Sequence, residues 1–179
     1  VALQPLLDTV RTRGGGSSID PVPTDARASA VLVALWEGDR GTAVLLTKRS
    51  WEMRNHKGEI SFPGGRIEGH DADPVAAALR EAHEEIGLAP GQARALGYLD
   101  PFVTITGFHV FPVVAVIESA FTACRDPGEV DEVFELPLEF LMDPANAFFG
   151  DLASKISFGS RPNLVSHQVE DSLSLNLRI

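Results

Sequence analysis

The sequence predicts an α/β fold, a mixed β-sheet with helices on both faces. Three observations predict it. Two apolar stretches, residues 28–36 and 42–49, read as the strands of a hairpin. Residues 73–86 carry a helix start signal, a stop signal and an apolar stripe. Strand-like stretches at 94–100, 108–117 and 129–135 then alternate with little else, and PLEFLMD, 137–143, reads as a short second helix. Strands mixed with a few helices give layered packing rather than a bundle or a sandwich of two sheets.

The elements follow in order. GGGSSIDPVP, residues 14–23, is a Gly, Ser and Pro-rich linker that sets off a short N-terminal segment with a helical turn at PLLDTV. ASAVLVALW is a strand of the fully buried kind, Glu37–Gly41 makes the turn, and TAVLLTKR returns. Residues 50–66 form a long connection with a brief strand near Ile60–Phe62, the kind of loop that carries function. Asp73 is a good helix N-cap, Pro74 suits the first helical position, and Gly87 stops the helix. Val75, Leu79, Ala82 and Ile86 form its core-facing stripe. Residues 1–24 are thus an N-terminal segment and linker, 25–150 the domain, and 151–179 a C-terminal segment. Within that segment SLSLNLRI alternates like an edge strand and equally suits a disordered end.

Composition narrows the function. The 179 residues suit one domain, and 44% hydrophobic with 22% charged residues is ordinary for a globular chain. A net charge of −10 argues against tracking a nucleic-acid backbone. Against that background Lys48, Arg49, Arg54, Lys57 and Arg66 face only Glu52 and Glu59 between residues 48 and 66. That local positive excess suits either a solvated loop or a pocket for an anion. Cys124 is the single cysteine, so no internal disulfide forms, and beside Phe121 and Ala123 it reads as a small buried hydrophobe. No apolar run approaches the ~20 residues of a membrane span, and the first residues lack a signal-peptide core. A cytoplasmic protein without a membrane partner is the expectation.

The chemistry concentrates in REAHEEIGL, residues 80–88. At about 100° per residue, Glu81, Glu84 and Glu85 fall within one arc of about 100°, well round from the apolar stripe. Like charges at these spacings each cost a few tenths of a kcal/mol. A solvated acidic face is one way to carry them. A divalent cation is the other, and hard carboxylate oxygens suit Mg²⁺ or Mn²⁺. Arg80 lies beside Glu84 on the wheel and can hold a carboxylate in one rotamer. Just upstream, SFPGGR places Gly64 and Gly65 where backbone can approach a phosphate or a metal. Glycine loop, basic stretch and acidic helix are contiguous, which describes a metal-dependent site for a phosphorylated substrate.

Residues Gly65 to Leu88 resemble the Nudix box, G-x5-E-x7-R-E-U-x-E-E-x-G-U, with U an apolar residue. The second half matches at its charged and glycine positions, with the small Ala82 at U. The first half departs: Asp71 stands for the loop glutamate, and eight residues rather than seven separate it from Arg80. We place the extra residue around Glu68–Asp71, which leaves Glu68, Asp71 and Asp73 as candidates for the loop carboxylate. LLTKRSWEMRNHKGEISFPGG, residues 45–65, is similar to the signature of the coenzyme A pyrophosphatase branch of that family, including Arg54, His56 and Gly58. EVDEVFELPLEFLMDPAN also looks like that branch, whereas its closing Trp-Gly-Ala-Thr-like segment has no counterpart here.

The resemblance implies a Nudix-type α/β/α sandwich with a mixed β-sheet. It implies a metal-dependent pyrophosphohydrolase that splits coenzyme A into 3′,5′-ADP and 4′-phosphopantetheine. It implies Mg²⁺ or Mn²⁺ on Glu81, Glu84, Glu85 and the Gly65 carbonyl, catalytic roles among Glu84, Glu85, Arg80 and Glu129, and substrate contacts from Arg54, His56, Gly58, Gly64 and Gly65. Glu85 and Glu129 are the candidate bases, and Glu129 also reads simply as a strand start. Two other readings stand beside this one: a Nudix hydrolase of another nucleoside diphosphate derivative such as ADP-ribose or NADH, and a non-catalytic Nudix-fold binding module. Lys48 and Arg49 are consecutive strand residues that point to opposite faces, so they are not expected to serve one phosphate. His83 is expected to be exposed, away from the glutamates.

Overall fold

The structure is a computed structural model that describes residues 25–38, 41–53, 57–104 and 106–142. The predicted N-terminal turn, the linker, the C-terminal segment and the residues Arg54 and His56 lie outside the described residues. Eight strands form one mixed sheet. They are β1 (Arg27–Gly38), β2 (Gly41–Arg49), β3 (Ile60–Ser61), β4 (Gly64–Arg66), β5 (Ala93–Tyr98), β6 (Phe102–Val103), β7 (Phe108–Ile117) and β8 (Val130–Pro137). Two helices, α1 (Pro74–Ile86) and α2 (Leu138–Met142), complete it.

The hairpin, the central helix, the strand over 108–117 and the short second helix stand where the sequence places them. Gly38 pairs with Gly41 to close the hairpin. β1 is the frame of the sheet. It pairs in parallel with β7 from Arg27 opposite Phe108 to Leu35 opposite Val116, and every other pairing is antiparallel. On its other side β1 forks. Its C-terminal end pairs with β2, while Ser29, Ala30 and Val31 pair with Arg66, Gly65 and Gly64 of β4.

Strand alternation gives the sheet two apolar faces. Ala30, Leu32 and Ala34 of β1, with Val113, Ala115 and Ile117 of β7, pack with Ala77, Ala78, Ala82 and Ile86 of α1. Leu35, Val44 and Val114 pack on the opposite face with Leu138 of α2. The described residues thus have a helix on each face, as a mixed α/β sandwich requires. One detail differs from the expected stripe. Ala77 and Ala78 are fully buried, while Val75 and Leu79 are only partly covered. Alanines let the helix axis approach the sheet closely, and the larger side chains splay to its edges. No described helix is long and apolar enough to cross a membrane.

Candidate active site

Helix α1 is fixed at both ends by its own sequence. The Asp73 carboxylate accepts the Ala76 N–H at 2.8 Å, and Pro74 opens the first turn. Gly87 ends it in the left-handed conformation, φ 75° and ψ 13°. The Gly87 and Leu88 N–H groups then close on the carbonyls of His83 and Ala82. Between these caps the register of the glutamates cannot slide.

The three glutamates lie in different environments, because β4 packs over their arc. Glu85 is 3% exposed, and its Oε2 accepts the Gly64 N–H at 3.1 Å. Glu81 lies against Gly65 so closely that a Cβ there would stand 2.5 Å from the carboxylate carbon. Gly64 has φ 154°, and a Cβ on it would come within 2.3 Å of the Ala30 carbonyl oxygen. Backbone contacts and its φ therefore require glycine at Gly64, whereas a side chain at Gly65 would push the Glu81 carboxylate aside. Glu84 is turned outward and its side chain is 55% exposed.

Arg80 organises the solvent side. Its Nε and Nη2 donate to the two carboxylate oxygens of Asp71, both at 3.0 Å. Its Nη1 donates to Glu81 and Glu84, and Nη2 also reaches the Arg66 carbonyl, each at 3.0 Å. These hydrogen bonds, first among them the one from Arg80, hold the Asp71 carboxyl down at about 2. Asp71 in turn raises the Arg80 guanidinium above its usual range. Asp71 also accepts the Glu68 N–H at 2.8 Å, while its own N–H donates to the Glu68 carbonyl. This tight turn spans the stretch, Glu68–Asp71, in which the extra residue was expected. Of the three loop candidates, Asp71 meets Arg80, Asp73 caps the helix, and Glu68 is exposed beside His70.

The inner side has no such balance. Burial pushes the Glu85 carboxyl up to about 8, against the pull of the Gly64 N–H and of Arg49. Burial raises Glu81 as well, with Arg80 opposing. Glu129 adds negative charge to both. The segment 124–130 brings it there. Cys124 and Asp126 donate their N–H groups to the carbonyls of Ile86 and Glu85, at the C-terminal end of α1. The Ser50 N–H, at the end of β2, binds the Glu129 carbonyl at 2.8 Å. Glu129 lies on the turn just before β8, so the strand-start reading describes its place in the chain while the fold sets its charge beside the helix.

Other expected residues fall as follows. Gly58, φ 67°, is buried under the indole of Trp51, which is itself 60% exposed. Trp36 packs against the core, and His83 is exposed. Cys124 corrects the expectation of a buried thiol: it is exposed, because its backbone rather than its side chain is fastened to the helix end. Arg49, which the sequence reading separated from Lys48 by strand parity, is the arginine whose charge the fold brings to bear on Glu85. Its sequence signals are the positive excess of residues 48–66 and its place in the 45–65 stretch.

Among the described residues no three His, Cys, Asp or Glu side chains are already gathered as a metal cage. The donor chemistry nonetheless fits a hard divalent cation. Glu81 and Glu85 are carboxylates raised by burial, crowded by Glu129, and set against glycine backbone that leaves room for oxygen ligands.

A family model described as the NUDIX domain matches residues 26–153. Nudix hydrolase 22, chloroplastic, of Arabidopsis thaliana is 40% identical over 136 residues, covering 74% of this chain and 45% of that protein. Uncharacterized Nudix hydrolase NudL of Enterobacter sp. (strain 638) is 44% identical over 112 residues, covering 63% of this chain and 58% of that protein. The chain therefore spans about half the length of the curated relatives it matches. Among solved structures, the Nudix hydrolase RenU of M. smegmatis aligns with a TM-score of 0.55 at 23% identity, covering 65% of this chain and 73% of that one. A NUDIX hydrolase from Alicyclobacillus acidocaldarius gives 0.55 at 22%, covering 70% and 82%. At these identities the structural likeness concerns the fold.

Proposed function

The chain belongs to the NUDIX domain family, and from that premise we propose that it hydrolyses the diphosphate bond of coenzyme A or a derivative in a divalent-metal-dependent reaction. Water adds across one P–O bond of the diphosphate. Its hydroxyl goes to one phosphorus, the bridging oxygen leaves with the other, and the products are 3′,5′-ADP and 4′-phosphopantetheine.

The observation that carries the reading is the unbalanced carboxylate group of Glu81, Glu85 and Glu129 against Gly64 and Gly65. Glu85 is buried and Glu81 partly buried, with the exposed Glu129 adding negative charge to both, and a divalent cation would relieve that repulsion. Glu81, Glu84, Glu85 and the Gly65 carbonyl would hold Mg²⁺ or Mn²⁺. When bound, the cation supplies Lewis-acid polarisation of a phosphate oxygen and a more acidic water. The Gly64 N–H fixes the Glu85 carboxylate, and Arg80 fixes Glu81. Glu129 and Glu85 are the candidates to take the proton of the attacking water. Glu129 is the better placed, since it is exposed and hangs on a loop tied to both the helix and β2.

Coenzyme A as the substrate is supported by the 45–65 segment. It ends β2 at Arg49, carries Gly58 under Trp51, and delivers Gly64 and Gly65 to the glutamates. Arg54 and His56 are the proposed further substrate contacts, with Arg54 suited to bidentate phosphate binding. The test is product analysis after incubation with coenzyme A, with Mg²⁺ and with chelator. Metal-dependent 3′,5′-ADP is the expected result. Cleavage of ADP-ribose or NADH instead would overturn the substrate, and no cleavage of any diphosphate by folded protein would overturn the reaction.

A further inference from the structure

The face of the sheet opposite α1 carries a basic group of its own, at the N-terminal end of β1. Arg27 of β1 is in register with Phe108 of β7, and its guanidinium carbon lies 4.0 Å from the centre of that ring. Arg66 of β4 pairs with Ser29, two residues along β1, and its guanidinium carbon lies 5.9 Å from the same ring centre. Alternation along the strands puts the three side chains on one face. Both arginines are exposed and the ring is half-buried. Arg27 is also pinned from the turn between β6 and β7. Its backbone N–H donates to the Gly107 carbonyl at 3.0 Å, and its Nη2 to the Thr106 carbonyl at 2.9 Å.

Packing alone is a poor reason for this arrangement. Measured to one ring centre, the two cations lie within about 10 Å of each other, roughly a Debye length. They repel, and a ring contact at an exposed site offsets little. The chain has 25 Asp and Glu against 15 Lys and Arg, so carboxylates are plentiful. Yet the ion pairs between described residues use neither Arg27 nor Arg66. The group also lies one residue from the acidic site. Gly65 faces Glu81, and the next side chain, Arg66, leaves β4 on the other face. The Arg66 carbonyl accepts Arg80 Nη2 at 3.0 Å, which ties the strand to α1 at that point. Among the described residues β4 pairs with β1 alone, so one thin strand separates the positive group from the negative one.

We propose that Arg27 and Arg66, propped on Phe108, form a second anion site that takes a phosphate group other than the diphosphate that is cleaved. Its occupant rests on the hydrolase reading above, and is then the ribose 3′-phosphate of coenzyme A; the site itself does not rest on that reading. Two guanidinium forks on different strands suit the oxygens of one phosphate. A nucleoside with a 5′-diphosphate and a 3′-phosphate carries anionic groups on two sides of one ribose and can straddle β4. ADP-ribose and NADH lack the second phosphate, so the site selects against them.

The experiment compares kcat/KM of the full chain with Mg²⁺ for coenzyme A and for its 3′-dephospho form. The wild type is expected to favour coenzyme A by roughly tenfold or more, as for a charge-assisted pair. Arg27→Gln combined with Arg66→Gln should abolish that preference by raising KM for coenzyme A, with the dephospho form turned over as before. Arg66→Gln alone should remove part of it, and it decides the matter if the Arg27 variant does not fold. A preference kept by the folded double variant would overturn the proposal, as would a wild type that treats the two substrates alike. Calorimetric titration of adenosine 3′-monophosphate and of inorganic phosphate, both with chelator, separates the site from the reaction. Binding that depends on the two arginines, in a protein that hydrolyses nothing, would refute the hydrolase and keep the anion site. Inorganic phosphate bound through the arginines, with a substrate preference indifferent to them, would overturn the 3′-phosphate as occupant in favour of a free anion. A wild type that neither binds nor cleaves would overturn both readings.

Discussion

Helix α1 carries two acidic settings only one turn apart. On the solvent side, Asp71, Glu81 and Glu84 share Arg80, and the donors and acceptors match within one plane of hydrogen bonds. On the inner side, Glu85 and Glu81 feel the charge of Glu129, with the Gly64 N–H and the Arg49 charge compensating at Glu85. The first setting is complete as folded. The second holds a carboxyl that burial pushes up to about 8, which a proton or a cation can neutralise. Neighbouring carboxylates of one motif can therefore serve different ends, and what separates them is whether the chain provides their counter-charge itself.

The largest test of this contrast is Glu85→Gln. It should lower kcat by about 10²–10⁴-fold, with the far-ultraviolet circular dichroism unchanged. Near-normal turnover would break the contrast outright.

The two settings should also titrate in opposite senses. Glu85 rises from 4.5 to about 8 on folding, so its contribution is favourable at low pH. That contribution is lost as pH climbs from about 4.5 through 8. Asp71 falls from 3.8 to about 2, so its contribution is present above 3.8 and lost as pH falls through 2. Melting curves of metal-free protein should thus fall with rising pH across the Glu85 range, and Glu85→Gln should flatten them. Saturating Mg²⁺ should raise stability by about 3 kcal/mol at a hundred times its Kd and remove that slope. A metal-free wild type with no pH dependence above 4.5 would count against the buried acid.

A smaller effect is expected at the glycine floor. Gly65→Ala should lower stability by about 2 kcal/mol, since its methyl would have to displace the Glu81 carboxylate, and denaturant titration measures it. Arg80→Lys should cost about 1 kcal/mol, because a point charge cannot span both Asp71 oxygens. His83→Ala, on the exposed face away from the glutamates, should stay within about 0.5 kcal/mol and serves as the control.

Much of this was legible in the sequence because it is local. Asp73, Pro74 and Gly87 announce the helix by chemistry confined to a few residues. The hairpin and the strand over 108–117 announce themselves by runs of apolar residues. The different fates of Glu81, Glu84 and Glu85 were not legible, because β4 packs on one part of their arc and a helical wheel contains no neighbour. Glu129 was visible only through family position, since its placement depends on backbone bonds from Cys124, Asp126 and Ser50 to residues far away in the chain. Lys48 and Arg49 were not expected to serve one phosphate, on an argument about strand parity. Parity says which face a side chain leaves from, and nothing about whether an acceptor waits there.

The parallel pairing of β1 with β7 has a consequence in time. Nearly all the other described elements lie between these two strands in the chain, so the sheet's longest pairing closes a very large loop. Pairings of that kind form slowly. During synthesis Glu81, Glu84 and Glu85 emerge before β7 and β8 exist, and they remain hydrated and mutually distant from Glu129. Glu129 alone waits for the chain to reach β8, so this acidic group is completed by the last described part of the chain to be made.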